Sequence, residues 1–435
     1  MSLQSPLKSI TQPKVISESS MGGLPGVVAL LIALKCAASF LLSKLNRSEV
    51  SKYKSNPPAA VLAVMDKETY EKSVAYTLVK SRFESVTDIV DAAVLCIALF
   101  SGLLPFIYSK VMAYGSSDSA WLGAFFLITT SLLLSVVSIP FDLYNQFKIE
   151  EGFGFNKSSL GLWITDKIKG LLLSLIIGLP LLAGLLSLVN RVGSTWWIWG
   201  FCLLFIFQLI MMVLYPVLIM PLFNKLSPLP DGPLKDRLFA LGERTGFKAK
   251  SIQVMDGSKR SGHSNAFFTG FGRFRRIVLF DTLIAQLTEE ELEAVLAHEI
   301  GHYRLGHIPK GLMLSLAGTA LSFAVIAWLC STSWFNPAFG FHSGVLSASF
   351  LLVGLVGGLV TFWISPVFNL LSRKHEYEAD NFTKKAMGNP EAMIGALRKL
   401  SSKNLSNLTP HPWYSGFHYS HPTLVERENA LISNA

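Results

Sequence analysis

The sequence predicts a mainly α-helical, polytopic membrane protein with a soluble domain that contains a small β-sheet. Three observations carry this: an apolar composition, seven long apolar windows, and one polar stretch, residues 288–307, patterned as an amphipathic helix. Of 435 residues, 51% are hydrophobic and 15% charged, and the mean hydropathy is +0.44, well to the apolar side of globular usage. The net charge of +9 does not call for a nucleic-acid partner, because lysine and arginine of membrane proteins collect in cytosolic loops. Cys36, Cys96, Cys202 and Cys330 all sit in apolar runs without paired spacing, so neither a disulfide frame nor cysteine ligands are expected. The first twenty residues are polar and Ser-rich, so no cleavable signal peptide is expected and the first apolar run stays as a span.

Windows of about twenty apolar residues, enough to cross roughly 30 Å of hydrocarbon, fall near 24–44, 88–108, 119–140, 168–189, 195–222, 310–330 and 346–371. Lys35 interrupts the first, and Asp88 and Asp91 lead the second, which turns that face away from lipid. Pro105, Pro180 and Pro216 lie inside spans, where neighbours can satisfy the freed backbone. The segment 44–82 holds Lys44, Arg47, Lys52, Lys54, Lys67, Lys72, Lys80 and Arg82, whereas 331–345 holds no lysine or arginine. The positive-inside rule therefore puts 45–87, 141–167, 223–309 and the tail after 371 in the cytosol, with the N-terminus outside. The domain reading is a flexible N-terminus 1–23, a membrane body 24–222, a soluble domain 223–309, spans six and seven over 310–371, and a soluble C-terminal part 372–435.

Within 223–309, residues 233–247 are patterned as an amphipathic helix. Residues 251–256 and 274–281 read as short strands, joined by a loop that contains His263 to Gly270. The helix that follows opens on Thr288 with Glu291 three residues on, a capping box, and runs an apolar stripe of Leu292, Val295, Leu296 and Ile300. It carries His298-Glu299-Ile300-Gly301-His302. Two histidines one turn apart share a face and can hold one zinc, with the glutamate between them as base for a water. The alternative, a surface helix with two satisfied histidines, weakens as further ligand-type residues appear.

Such a site needs a third protein ligand. Gly306 and His307 are out of register for the metzincin pattern H-E-x-x-H-x-x-G-x-x-H, so a carboxylate from a later helix is the other solution. Glu376 and Asp380, one turn apart after the last span, pair a ligand with an acceptor for the outward N–H of a ligand histidine. By spacing alone Glu378 is nearly as good a ligand, and the choice stays open. His421, in a loop ahead of the last helix, is a candidate donor to an oxyanion. His307, His342, His375 and His411 carry no comparable partner pattern and are read as structural or solvated. A site-2-type intramembrane protease is disfavoured, because its motif lies within a span and this one follows Thr-Glu-Glu-Glu. A channel or transporter explains the spans but not the ordered ligands.

These residues resemble one family, the type I CAAX prenyl endopeptidases, integral membrane zinc metalloproteases that process farnesylated precursors such as fungal a-factor and animal prelamin A. The resemblance rests on Ser264-Asn265-Ala266-Phe267-Phe268-Thr269-Gly270, the H-E-x-x-H, Arg373-x-x-Glu376-x-x-Ala379-Asp380, and Tyr419-Ser420-His421-Pro422 with Glu426-Arg427. A loop, Pro140-Phe141-x-x-Tyr144 and Phe147-x-Ile149-Glu150-Glu151-x-Phe153-Gly154-Phe155-Asn156-Lys157, adds to it. The resemblance implies seven membrane helices around a large chamber, capped at its cytosolic end by a gluzincin-like zinc domain. It assigns one Zn2+ per chain to His298, His302 and Glu376, the base to Glu299, and the outer partner to Asp380. Substrate backbone falls to Asn265 with Ala266, and oxyanion contacts to His421 and Arg427. Its implied substrates are farnesylated or geranylgeranylated CAAX proteins, cut after the prenylated cysteine, with a second upstream cleavage as an extension. The implied setting is the endoplasmic reticulum membrane and nuclear envelope, with the protein working as a monomer. A membrane quality-control metalloprotease is the rival, since it would use the same zinc residues. Thr423 departs from relatives, which often carry a second proline there.

The topology has a direct check. Asn46, Asn156, Asn381, Asn404 and Asn407 are sequons on the proposed cytosolic side, so expression with microsomes is expected to leave all five unglycosylated. A glycan-dependent mobility shift at any of them refutes the orientation.

Overall fold

The computed structural model describes residues 23–116, 118–247, 251–269 and 276–433. The polar N-terminus, Gly270, and the start of the expected strand 274–281 lie outside these residues. Among the described residues, five helices are long and apolar enough to cross a membrane: Leu24–Lys52, Leu160–Val189, Gly193–Phe223, His307–Ser331 and Leu346–Met387. Two bent pairs, Lys67–Phe100 with Leu103–Met112 and Ala120–Val136 with Ile139–Glu150, bring the total to seven.

The apolar window 88–108 straddles a 58° bend between the first pair rather than forming one straight span. The bend falls at Gly102, whose φ of +81° is a left-handed conformation open to glycine. Proline acts as expected elsewhere: π-helical turns sit just before Pro180 (Ser174–Gly178) and around Pro216 (Tyr215–Ile219), where an N–H is missing from the ladder.

The apolar windows of the five straight spans bury only 6% to 17% of their residues. A packed bundle buries a stripe at least about 100° wide on each helix, more than a quarter of its surface. These helices therefore leave most of their surface uncovered by the rest of the chain.

The polar segments gather at one end of the spans. Val50, Val61, Met65, Tyr70 and Val74 form one core with Ala294, Met393, Leu397, Leu424 and Leu431. Tyr76, Ile149, Phe155 and Leu405 form another. At the opposite end Phe335, Phe339 and Phe341 pack with Leu104, Ile107 and Phe126.

The soluble end carries a four-stranded mixed sheet: β1 (Leu226–Pro228), β2 (Ser251–Met255), β3 (Ala266–Thr269) and β4 (Arg276–Phe280), in the order β1-β2-β4-β3. β2 and β4, parallel, are the two expected strands. Part of the expected loop is instead β3, antiparallel to β4 at the sheet edge. Ala-Phe-Phe-Thr lacks an alternating pattern, so only pairing with β4 reveals it as a strand. The expected amphipathic helix is Pro233–Thr245, stopped by Gly246 at φ +66°. Behind the sheet Leu238, Leu241, Ile252, Ile277 and Leu279 pack against Leu292, Leu296 and Ile300 of the motif helix Glu289–Arg304. The capping box is present: Thr288 N donates to Glu291 Oε2 at 2.8 Å and Glu291 N donates to Thr288 Oγ1 at 3.3 Å.

Helix Leu346–Met387 is 42 residues long, about 63 Å at 1.5 Å per residue. It crosses the membrane region and continues without a break into the soluble end, where it packs on the motif helix. A methyl group on Gly301 would lie 3.1 Å from Ala379 Cα and 3.2 Å from its carbonyl oxygen, so the two backbones are as close as glycine allows. Gly301→Ala is expected to cost about 1–3 kcal/mol by overpacking. Because backbone rather than a mobile side chain is in the way, it should also weaken metal retention; thermal unfolding and metal content after dialysis check both.

Candidate active site

Two helices deliver the site. The motif helix presents His298 and His302 one turn apart, and the long helix presents Glu376 and Asp380 one turn apart. Three donor atoms converge. His298 Nε2 is 3.2 Å from His302 Nε2 and 3.3 Å from Glu376 Oε2, and His302 Nε2 is 3.2 Å from Glu376 Oε1. A neutral imidazole has a single N–H, and His298 directs it to Asp380, so a hydrogen bond does not account for its edge to Glu376. Glu376 is 4% exposed and its Oε2 has no hydrogen-bond partner. Around a tetrahedral metal with bonds of about 2.0–2.1 Å, neighbouring donors sit about 3.3 Å apart. The donor set and its spacing fit a zinc-type ion.

Each histidine is held from behind. His298 Nδ1 donates to Asp380 Oδ1 at 2.9 Å. Asp380 in turn accepts from Arg427 Nε at 2.8 Å and Nη2 at 2.5 Å, a bidentate pair out of solvent. Arg427 Nη1 lies 3.5 Å from Glu376 Oε2. His302 Nδ1 is 3.0 Å from His307 Nδ1, and His307 Nε2 is 2.8 Å from Glu378 Oε2. Glu378 thus faces His307 and leaves the histidine pair to Glu376. His307, expected to be structural or solvated, is buried against His302. Its signal was weak because a spacing of five places two residues on different faces of a continuous helix. Here Gly306, at φ +72°, breaks the helix between them.

Burial works against a charge on His298, yet the carboxylates of Asp380 and Glu376 beside it outweigh burial and raise the pKa above the usual histidine value. Burial raises the Glu299 carboxyl as well, and the neighbouring histidines offset only part of that. Glu299 is half-buried on the face that senses His298, His302, Glu376 and Arg427.

His421 arrives from a loop lashed to the long helix. Arg373 Nη1 donates to Tyr419 O at 2.6 Å, and Asn369 Nδ2 donates to Phe417 O at 2.7 Å. Its side chain stays 64% exposed while Nε2 reaches 3.3 Å from Glu376 Oε1. Thr423 caps the helix Leu424–Ser433 that carries Arg427. Its N and Oγ1 donate to Glu426 Oε2 at 2.7 and 2.8 Å. Asn265 and Ala266 are not in the cluster. They open edge strand β3, where Ala266 and Phe268 pack against the core beneath the motif helix.

Comparison with known proteins agrees with this architecture. Residues 46–225 match the CAAX prenyl protease N-terminal family of five membrane helices, and residues 228–435 match peptidase family M48. The chain is 38% identical over 398 residues to the CAAX prenyl protease 1 of Saccharomyces cerevisiae, covering 84% of this chain and 86% of that protein. To the human CAAX prenyl protease 1 homolog it is 31% identical over 443 residues, covering 90% and 92%. The crystal structure of S. mikatae Ste24p superposes with a TM-score of 0.86 at 36% identity, covering 94% of this chain and 98% of that one.

The two carboxylates of the long helix predict different outcomes. Glu376→Ala is expected to leave well under one equivalent of metal after dialysis, and Glu378→Ala to retain close to one. Equal loss in the two variants rules out this division of roles.

Proposed function

Because the chain belongs to peptidase family M48, in its CAAX prenyl protease branch, we propose that it removes the C-terminal tripeptide from prenylated CAAX proteins by zinc-dependent hydrolysis. It is a multi-pass membrane metalloendopeptidase. The observation that carries the finer reading is the triangle of His298 Nε2, His302 Nε2 and Glu376, with edges of 3.2–3.3 Å, beside the unligated carboxylate of Glu299.

His298, His302 and Glu376 would hold a zinc ion, which would supply Lewis acidity for the scissile carbonyl and the hydrolytic water. Glu299 accepts a proton from that water as its oxygen bonds to the carbonyl carbon. It returns the proton to the leaving amide nitrogen as the C–N bond breaks. His421, exposed enough to meet substrate, donates from Nε2 to the developing oxyanion. Arg427 keeps Asp380 and Glu376 in place with one guanidinium, and its Nη1 faces the same oxyanion region. Asn265 and Ala266, on the open side of β3, take the substrate backbone as an added strand. The ring of helices favours a prenylated substrate, since the isoprenoid can stay in an apolar setting while the peptide reaches an aqueous metal. The lysine- and arginine-rich 44–82 segment, packed against the soluble end, favours a cytosolic active site. On this reading the chain works as a monomer in the endoplasmic reticulum membrane and nuclear envelope, N-terminus lumenal and C-terminus cytosolic.

Glu299→Gln is expected to keep its metal and lose about 100- to 10,000-fold of its cleavage rate on a farnesylated CAAX peptide. Retained cleavage refutes the assignment of the base. The same peptide without its prenyl group should be cut far more slowly by the unaltered enzyme, and equal rates would favour general membrane proteolysis.

A further inference from the structure

A second group of metal-type side chains lies behind the first. His307, His375 and Glu378 bring two ring nitrogens and a carboxylate oxygen within 4.8 Å of one another. Two observations argue against a second metal there. The rings of His307 and His375 are stacked, centroids 4.0 Å apart and planes 11° apart. Imidazole lone pairs lie in the ring plane, so lone pairs in two near-parallel planes cannot converge on one ion. The proton count points the same way. With His302 Nε2 given to the metal beside Glu376 and His298, its single proton sits on Nδ1, 3.0 Å from His307 Nδ1. His307 must accept there and carry its own proton on Nε2, the atom 2.8 Å from Glu378 Oε2. The nitrogen that would ligate a second ion is the one that holds the proton.

We propose that His307 is a positioning residue for the metal centre: its Nδ1 accepts the outward N–H of His302, and its Nε2–H is donated to Glu378. This rests on the reading of His298, His302 and Glu376 as metal ligands. The relay fixes the tautomer and ring plane of His302, leaving the Nε2 lone pair free and aimed. Its parts are built for that. Gly306, at φ +72°, turns the chain so that His307 folds back under His302. His375 covers one face of the His307 ring, and Lys374 Nζ lies 3.8 Å from Glu378 Oε1. The two metal histidines are thus held differently, His298 by a buried carboxylate tied to Arg427 and His302 through a neutral ring to a half-exposed carboxylate.

The test measures zinc affinity of the detergent-solubilised full chain by competition with a chromophoric chelator, with thermal unfolding of the metal-stripped protein as a check on folding. His307→Phe fills the space without an acceptor and is expected to weaken zinc binding about 10- to 100-fold. His307→Asn puts Oδ1 where Nδ1 stood and should stay within about threefold of the unaltered chain, because the acceptor for His302 is kept. Unchanged affinity in His307→Phe overturns the relay, as does equal loss in Asn and Phe, which would mean that only packing matters. A second zinc equivalent lost in His307→Phe overturns it in favour of a metal site. If the unaltered chain binds no zinc, the metal-centre reading falls and the relay with it; unaltered binding with an unaffected Phe variant removes the relay alone.

Discussion

The close approach of Gly301 to Ala379 is the constraint on which the rest of the site depends. The histidines and Glu376 sit on two helices, and the 3.2–3.3 Å edges between their donor atoms exist only while those backbones touch. A side chain between them would part the donors by more than a metal bond can stretch. Glycine within H-E-x-x-H is therefore a spacing element as much as a filler.

The same contact ties the centre to the membrane. Leu346–Met387 is one continuous rod, so Glu376 and Asp380 ride on a helix whose other end is anchored among the spans. Polar segments far apart in the chain, around Val50, Tyr70, Ile149 and Leu424, close over that end as shared cores. The spans bury little of one another, so these shared cores add to what holds the soluble end in place.

Charge balance explains why so many ionisable groups can be packed together. Glu376 and Asp380 bring two carboxylates against the guanidinium of Arg427 and the imidazoles of His298 and His302. The carboxylates of Asp380 and Glu376 raise the pKa of His298 despite its burial. The buried Asp380–Arg427 pair survives because both lobes of the carboxylate and two guanidinium nitrogens are satisfied. Removing either partner would leave a charge stranded beside a metal ligand.

What the sequence determined by itself is what local periodicity and chemistry can encode. The apolar windows specify spans by length, Thr288 and Glu291 specify a helix start, and His298, Glu299 and His302 specify a shared face four residues apart. The tertiary structure decided everything that depends on which faces meet. Spacing could not separate Glu376 from Glu378, because both lie within a turn of the same region; the packing of two helices turned one toward His302 and the other toward His307. Strand β3 needed β4 to exist, and the bend at Gly102 needed neighbours to make a straight span unfavourable. His307 looked unpartnered because a spacing of five has no meaning on an unbroken helix, and only the left-handed turn at Gly306 gave it one. Contacts between segments distant in sequence leave no local pattern, so they are decided only when the chain packs.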